Sequence, residues 1–373
     1  MNGKRKRFGK WLLIAGVSLG LHYLMLVLAL FFLKGGFSWA ALGQLIQERL
    51  TEPGDAPRYL DIAMNGYVRT GENAINLVFY PLYPLLIRAL GFITGDLGLA
   101  GMIVSQVSYC AASVLLYELI LLDGDERSAW DGVLLLALYP FSMFVMGVFT
   151  EGLFLALTIG CLYALRRERF LWAGIIGFWA ALTRTQGMLL FFPAAYQFVK
   201  CRFGPEKRKG KISDAALLLI PAGFGAYLLL NLHLHGNALQ FLKYEADDPW
   251  FQTTKWVGEN IAQQYGQAME YQTLDVLIYW VQIVLYFLIL LILFLGMYRK
   301  EQTMYLLYGG VYLGFSYLSG WMISGGRYML CCVSVYLILC KMRDGVGRKL
   351  LIAGETLLFF AYSLFYLRGF AIM

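Results

Sequence analysis

Long apolar runs recur along most of the chain, with short polar stretches between them. The first run, WLLIAGVSLGLHYLMLVLALFFL at residues 11–33, follows a basic start, MNGKRKRFGK. Runs near the roughly 20 residues that a helix needs to cross a bilayer predict transmembrane helices. The first run is too long for a signal-peptide core and no small-residue cleavage site follows it, so we expect it to remain as an anchor.

Composition places the chain in one class. Hydrophobic residues make up 59% of the 373 residues and charged residues 15%, whereas a soluble protein carries about 25% charge. We therefore predict an all-α polytopic membrane protein with a single integral membrane domain over residues 1–373. The net charge of +7 does not indicate nucleic acid as a partner, because the basic residues lie in short clusters between the apolar runs. The six cysteines lie in apolar runs or at a basic span end, so we expect neither a disulfide framework nor a thiolate metal site.

The basic clusters predict the orientation. If MNGKRKRFGK, RRER (166–169) and KCRFGPEKRKGK (200–211) all face the cytoplasm, as the positive-inside rule expects, about eleven spans fit. They are predicted at residues 11–33, 97–122, 129–148, 151–165, 170–182, 188–199, 213–232, 274–297, 303–319, 327–341 and 349–367. This topology requires a break at TRTQG (183–187), and it requires residues 78–94 to dip into the membrane or lie on its surface.

In this topology the outer face collects most of the candidate chemistry. Two long outer segments, residues 34–96 and 233–273, and three junctions hold Asp55, Asp61, Glu151, Arg184, Asp247, Asp248 and Arg327. Any one of these could simply mark the interfacial end of a span. Ionisable groups at membrane depth are costly and usually line a cavity or pathway, so several on one face favour a polar cavity.

The stretch EPGDAPRYLDIAMNGY, residues 52–67, predicts a short interfacial helix in the first outer loop. Asp55 is placed as its cap, Pro57 lies in its first turn and Gly66 stands where it would end. Residue chemistry alone fits Asp55 equally well as a helix cap and as a catalytic base. Asp61, at about 100° per residue, points some 120° away around the axis, so we expect it to be a solvated acid.

Four stretches resemble motifs of one enzyme family. DAPRYLDIAMNGY, LVFYPLYPLLIRAL and the region from ALYPF through TE to TRTQG are similar, in order and spacing, to the first-loop and following motifs of the PIG-V family of GPI mannosyltransferases and its bacterial relatives. GGRYML near the end resembles the family's late Arg-aromatic motif. The chain departs from the family in having Gly54 where a Trp usually precedes the first Asp, and residues 200–273 show no family motif.

The resemblance implies a GT-C-type multi-span helical bundle that transfers a hexose, mannose by analogy, from a polyprenyl-phosphate sugar to an acceptor hydroxyl on the outer face, with inversion. It implies no cofactor. The implied roles are catalytic base for Asp55, donor-phosphate binding for Arg184 and Arg327, and substrate orientation for Glu151, Tyr59 and Tyr83. We expect no metal, because the donor carries one phosphate that arginine can neutralise. The expected partners are the lipid-linked sugar donor, membrane lipid, and a glycan, glycolipid or protein acceptor.

Fewer observations in the sequence bear on the cellular location and on alternatives to a glycosyltransferase. The short chain and the absence of N-x-Ser/Thr sequons favour a bacterial plasma-membrane protein with a cytoplasmic N-terminus and an external active site. The alternatives are a transporter or flippase for a polar or lipid-linked solute, and a non-catalytic scaffold. A transporter should also bury charge in the inner half of the membrane, for which Glu118 is the best candidate. No internal repeat is apparent, which weakens the commonest transporter architecture.

Overall fold

The computed structural model describes residues 2–205, 209–270, 276–320 and 324–370. Within these ranges the chain is helical, and the only β-type pairing is one isolated bridge between Thr254 and Ser319. The all-α prediction is therefore confirmed. Parts of three predicted segments, at residues 206–208, 271–273 and 321–323, lie outside the described residues.

Seventeen α-helices are present in the described part of the chain. The first nine are α1 (Asn2–Lys34), α2 (Trp39–Ile46), α3 (Ala56–Asn65), α4 (Leu82–Thr94), α5 (Leu97–Ile120), α6 (Glu126–Ala137), α7 (Glu151–Arg166), α8 (Phe170–Ala181) and α9 (Phe191–Phe203). The others are α10 (Leu219–His235), α11 (Gln240–Ala246), α12 (Val257–Glu270), α13 (Val276–Tyr298), α14 (Thr303–Ser316), α15 (Gly325–Leu330), α16 (Ser334–Leu339) and α17 (Val346–Arg368). Short 3₁₀ helices include Glu72–Val78, Ser142–Val145 and Thr185–Leu190.

Five of these elements have the length and apolarity of a membrane span. They are Arg5–Lys34, Leu97–Ile120, Ile212–His235, Leu277–Tyr298 and Val346–Arg368. Between 22% and 44% of the apolar window of each is buried, so most of their apolar side chains face outward, as they do toward lipid. The chain is an integral membrane protein. Five spans, or six if a bent pair counts as one, fall short of the predicted eleven, which is not confirmed.

The difference comes from predicted spans that are broken or short. Residues 129–148 do not form one helix: α6 ends at Ala137 and Pro140 follows, a residue that lacks the N–H needed to continue the helix. Residues 327–341 are likewise divided between α15 and α16. The break predicted at TRTQG is confirmed, because Arg184 has an extended backbone with φ −155° and ψ 151° between α8 and the next 3₁₀ helix.

Both ends of helix α4 contact other segments of the bundle. At its start, Leu82 N–H donates to the carbonyl of Leu182, two residues before Arg184. Just after its end, Gly98 lies against Thr51, in the segment that leads to α3. The axis turns by 111° between the Glu72–Val78 helix and α4, which is typical of a broken span or of a segment that dips into the membrane.

Helices α5 and α7 pack closely at the centre of the bundle, and this contact positions the first site residue. A Cβ at Gly152 would lie 2.4 Å from the carbonyl oxygen of Ser105, so only glycine allows the approach. The contact seats Glu151, the first residue of α7, in the interior. We call the end of the bundle that holds Asp55 and Glu151 the Asp55 end. The opposite end, where Arg7 contacts Glu118, is the Arg7 end.

The second large outer loop, predicted at residues 233–273, contains two helices, α11 and α12, and begins inside the last turn of α10. Phe241 anchors α11, being 3% exposed. Asn260 fastens α12 by donating from Nδ2 to the carbonyls of Tyr317 and Ser319, at 3.1 and 2.6 Å. Helices α11 and α12 are therefore each held to the bundle by a buried side chain.

Candidate active site

The helix predicted in the first outer loop is present as α3. Pro57 lies in its first turn, and Gly66 ends it with φ +75°, a left-handed value that favours glycine. The expected cap is absent, because the side chain of Asp55 makes no hydrogen bond to the helix. Its Oδ2 instead accepts a hydrogen bond from Arg327 Nη1 at 2.6 Å. The capping interpretation of Asp55 is therefore wrong, and its carboxylate faces a cation from the far end of the sequence.

The residue before Asp55 sets the turn into α3. Gly54 has φ +62°, a conformation that costs any residue with a Cβ about 1 kcal/mol or more. A larger residue at this position would therefore be strained.

Arg327 connects Asp55 to a second carboxylate, that of Glu151. Glu151 Oε1 accepts from Arg327 Nε at 2.5 Å and from Arg184 Nη1 at 2.6 Å. The result is a continuous chain of ion pairs, Asp55–Arg327–Glu151–Arg184, which we call the ion cluster. Asp55 lies at the start of α3, Arg327 in α15 and Glu151 at the start of α7. Arg184 lies in the extended segment after α8. The structure thus brings together four of the predicted site residues.

The ion cluster is deeply buried. The side chains of Glu151, Arg327 and Arg184 are 0%, 5% and 9% exposed, and that of Asp55 is 26% exposed. Two acids balance two arginines, so the cluster is formally neutral, which offsets the large cost of taking unpaired charge out of water. Asp55 is the member that solvent reaches most easily.

Aromatic rings enclose both guanidinium groups. The Arg327 guanidinium carbon lies 4.8 Å from the ring centre of Phe149 and 5.2 Å from that of Phe144. The Arg184 guanidinium carbon lies 4.9 Å from the ring centre of Tyr328. Cation–π contacts of this kind hold a guanidinium in place while leaving some of its N–H groups free to bind an anion.

Several polar atoms of the ion cluster have no partner among the described residues. Arg184 donates only through Nη1 and Arg327 only through Nε and Nη1, so each guanidinium keeps uncommitted N–H groups. Asp55 accepts through Oδ2 alone, which leaves Oδ1 free. Glu151 Oε2 is buried and also lacks a donor. The cluster can therefore accept further hydrogen-bonding groups of both signs.

The two predicted tyrosines occupy different positions. Tyr59, 6% exposed, interacts electrostatically with every member of the ion cluster, and burial raises the pKa of its hydroxyl. Tyr83 is fully buried, and its hydroxyl bonds with the carbonyl of Gly101 and the hydroxyl of Ser105. Tyr83 thus fastens α4 to α5. The substrate-orienting roles of both tyrosines stay predictions.

The remaining candidate acids lie outside the cluster. Asp61 accepts from the side-chain amides of Asn65 and Asn76, at 2.8 and 2.7 Å, and lines a separate surface cavity of about 400 Å³ together with Glu72. Glu118 accepts from Trp11 at the Arg7 end. No group of three or more His, Cys, Asp or Glu side chains able to hold a metal occurs in the described ranges.

Sequence reasoning missed two neighbours of the ion cluster. Tyr328 follows Arg327 directly, so the GGRYML motif could have indicated it. Glu245, on α11, interacts electrostatically with Tyr328. It stands in a stretch without any motif, so nothing in the sequence connected it with Asp55.

One known protein is similar to part of the chain. GPI mannosyltransferase 2 of Drosophila pseudoobscura pseudoobscura is 28% identical over 134 residues. The match covers 32% of this chain and 28% of that protein, so the chain matches well under a third of the relative's length. No family model matches the chain. The similarity relates this chain, over part of its length, to a mannosyltransferase.

Proposed function

We propose that this protein is a membrane glycosyltransferase of the mannosyltransferase type, which moves a hexose from a polyprenyl-phosphate donor to an acceptor hydroxyl with inversion. The observation that carries the proposal is the position of Arg327, which pairs with Asp55 and Glu151 at once. The Arg327 guanidinium thereby connects the partly exposed carboxylate of Asp55 to a buried site where two arginines lie between aromatic rings. The partial similarity to a mannosyltransferase supports the same reaction class.

In the proposed reaction, each unpaired polar atom of the ion cluster has a role. The acceptor hydroxyl gives its proton to Asp55 Oδ1, and its oxygen attacks the anomeric carbon of the donor. The bond between that carbon and the phosphate oxygen breaks, and its electron pair stays on the polyprenyl phosphate. The uncommitted N–H groups of Arg184 and Arg327 neutralise the departing phosphate. A single displacement of this kind inverts the anomeric configuration, and general-base help is worth roughly 10²–10⁴ in rate.

Glu151 has a positioning role in this scheme. Its side chain is 0% exposed, and its Oε1 receives one N–H from each arginine. It therefore fixes the spacing of the two guanidinium groups at which the phosphate would bind. Preorganised donors aimed at developing charge are usually the largest contribution to catalysis.

The test uses purified protein in liposomes that contain polyprenyl-phosphate mannose, with release of polyprenyl phosphate as the readout. We expect Asp55→Asn to stay folded, with a lower melting temperature because Arg327 loses a charged partner, and to turn over the donor at least about a hundredfold more slowly. Asp61→Asn, a matched change six residues on, should keep most of the activity. Equal rates for Asp55→Asn and wild type would refute the catalytic assignment, and no donor turnover by any wild-type preparation would refute the reaction.

The transporter alternative has less support from the described residues. Glu118, the acid it needed in the inner half of the membrane, pairs with Arg7 and Trp11 at a helix end. A charge with two partners at the bundle's rim acts as a fastener between α1 and α5.

A further inference from the structure

Helix α12, in the second outer segment, buries polar side chains along one face. The helix packs against α13, where the ring of Tyr265 meets that of Trp280 edge-to-face with 5.9 Å between centres. Asn260 and Gln264, one turn apart on the same side of the helix, are 1% and 2% exposed, and Ala268, a further turn on, is 4% exposed. The buried face of a helix is ordinarily apolar, so two amides on it need an explanation.

These amides lack the partners that buried polar groups normally have. Both polar atoms of the Gln264 side chain, Nε2 and Oε1, are sealed from solvent without a hydrogen-bond partner among the described residues. The same is true of Asn260 Oδ1 and of Ser316 Oγ. Ser316, the last residue of α14, is 3% exposed. Because nearly all buried polar groups in proteins are hydrogen-bonded, four unpartnered atoms in one region indicate a place for a hydrogen-bonding ligand.

Hydrogen bonds place the buried face of α12 against the end of α14. Asn260 Nδ2 donates to the carbonyls of Tyr317 and Ser319, at 3.1 and 2.6 Å. Tyr317 directly follows Ser316, so the unpartnered hydroxyl lies beside the contact that Asn260 makes. We call Asn260, Gln264 and Ser316 the amide cluster.

Helix α14 connects the amide cluster with the ion cluster. Tyr312 lies one turn before Ser316, so the two side chains share one face of α14, and both are buried. The hydroxyl of Tyr312 donates to the carbonyl of Tyr328 at 3.0 Å, next to Arg327. The ring of Tyr328 covers the guanidinium of Arg184, 4.9 Å away. The amide cluster therefore begins about one helical turn, roughly 6 Å, along α14 from residues that contact the ion cluster.

We propose that the amide cluster binds the hydroxyl groups of a neutral sugar ring, the acceptor of the transfer reaction, and that α12 closes over that ring. This inference rests on the proposed function. Amide and hydroxyl groups both donate and accept hydrogen bonds, as sugar hydroxyls do, and the three members of the cluster carry no charge. The anionic donor phosphate is instead matched by Arg184 and Arg327.

The sugar reaches the amide cluster only when α12 moves away from α14, because the unpartnered atoms are sealed from solvent. The same atoms favour this opening, since water satisfies them once α12 has moved. Elements that open to admit ligands belong to the less stable parts of a fold. We therefore expect α12 to open in the absence of sugar and to be held closed by it.

The sharpest test is Gln264→Leu, which replaces the unpartnered amide by an apolar group of similar size. We expect this variant to melt a few degrees higher than wild type in detergent, because two unsatisfied polar atoms are removed. It should bind the sugar probe at least about tenfold more weakly, since its hydrogen bonds to the sugar are lost. A purely structural amide would give the opposite sign, a lower melting temperature.

The matched control is Gln263→Leu, the same substitution one residue earlier. Gln263 Oε1 accepts from Lys255 Nζ at 2.6 Å, so this variant should melt no higher than wild type and keep wild-type affinity for the probe. Ser316→Ala, which removes only an unpartnered hydroxyl, is the second test of the cluster. It should stay folded and bind the probe about fivefold more weakly, which decides the matter if Gln264→Leu does not fold.

The probe is methyl α-D-mannopyranoside, and no donor is needed. Binding is measured by the rise in melting temperature with probe concentration and by the slowing of backbone hydrogen exchange over residues 257–270. Wild-type protein that binds the probe but turns over no donor would refute the proposed function and leave the sugar site standing. Wild-type protein that turns over donor while neither measurement responds to the probe would overturn the sugar site alone. A lower melting temperature for Gln264→Leu with unchanged affinity would mean that internal water satisfies the amide, and would overturn it as well.

Discussion

The two ends of the helical bundle use the same residue types to make ion pairs, but they arrange them differently. At the Arg7 end the pairs are separate, and each joins two different segments of the chain. They are Arg7–Glu118, Lys10–Glu126, Arg166–Asp123, Lys341–Glu301 and Arg348–Asp131. At the Asp55 end, two acids and two arginines form one connected cluster.

The solvent exposure of the ion-pair side chains also differs between the two ends. Arg7, Lys10 and Glu126 are 56%, 40% and 61% exposed. Asp131 and Glu301 are only 5% and 9% exposed, but each pairs with a single cation, whereas Glu151 is sealed from solvent and pairs with two. Exposed pairs contribute about 0–1 kcal/mol. A buried pair often stabilises no better than apolar residues of the same size would. The ion pairs of the Arg7 end therefore hold neighbouring segments together. The free-energy cost of burying charge at the Asp55 end is explained by the groups that its unpaired polar atoms can bind.

The largest contrast we expect is in access from the two sides of the membrane. Thr70, exposed near α3, and Asp344, exposed beside Arg348, mark the two ends. In a background without the native cysteines, Thr70→Cys should react with a membrane-impermeant maleimide on intact cells, and Asp344→Cys should react only after the membrane is opened. Labelling of Asp344→Cys alone would invert the topology and place the ion cluster in the cytoplasm.

The second contrast concerns loss of one carboxylate from each end. Glu151→Gln leaves two buried guanidinium groups with only Asp55 to balance them, and breaking a buried pair costs about 3–5 kcal/mol. We expect a clear drop in melting temperature and at least about a hundredfold loss of donor turnover. Glu118→Gln should change the melting temperature slightly and leave turnover intact.

Thermal unfolding in detergent and donor turnover in liposomes measure both effects on the same preparations. A Glu118→Gln protein that folds well and loses its turnover would remove the distinction between the ends. It would also support the transporter alternative, which requires Glu118 as a charge in the inner half of the membrane.

The sequence predicted the parts of the site that depend on local signals. Helix α3 followed from Pro57 and Gly66, and the break before Thr185 followed from the need to keep the basic clusters on one side. Both are present. Glu151 and Arg184 stood out because each lies at the junction of two apolar runs, and Asp55 and Arg327 because they lie in outer segments with motif-like surroundings; all four were predicted on the same side of the bundle.

Long-range contacts were beyond sequence reasoning. The partner of Asp55 is 272 residues away, and helix-capping preferences favoured a local bond that the structure lacks. Apolar length alone did not predict the breaks at Pro140 and between the short helices α15 and α16, which interrupt runs that look continuous in the sequence. Glu245 has no motif, and it became visible only when α11 packed near Tyr80.

A third contrast replaces one arginine at each end by lysine. Arg327 reaches Asp55 and Glu151 with two different nitrogens, and a lysine ammonium cannot reproduce that planar geometry. We expect Arg327→Lys to lower kcat/KM for the donor about ten- to a hundredfold, with a higher donor KM. Arg348→Lys, where the partner is Asp131, should stay within about twofold of wild type. Equal effects of the two changes would mean that Arg327 only fastens helices.

The smallest expected effect is a pH dependence of stability that arises at the Asp55 end. Burial raises the pKa of Glu245 from its usual 4.5 to about 7. Between these values the folded chain keeps a proton that the unfolded chain releases, so the contribution of Glu245 to stability is complete below about pH 4.5 and is lost as the pH rises through about 7. The loss is at most about 3 kcal/mol, at 1.36 kcal/mol for each pKa unit. Wild type should therefore melt a few degrees lower at pH 8 than at pH 5, and Glu245→Gln should lack that part of the change.

Other groups near Glu245 set the controls for this measurement. The tyrosines of this region stay protonated between pH 5 and 8. His235, against Tyr244, is present in wild type and variant alike, so subtraction removes its effect. Asp247→Asn should reproduce the wild-type profile, because Asp247 is exposed. If Glu245→Gln and wild type show the same difference in melting temperature between pH 5 and pH 8, Glu245 is ionised like a surface acid, and burial does not raise its pKa.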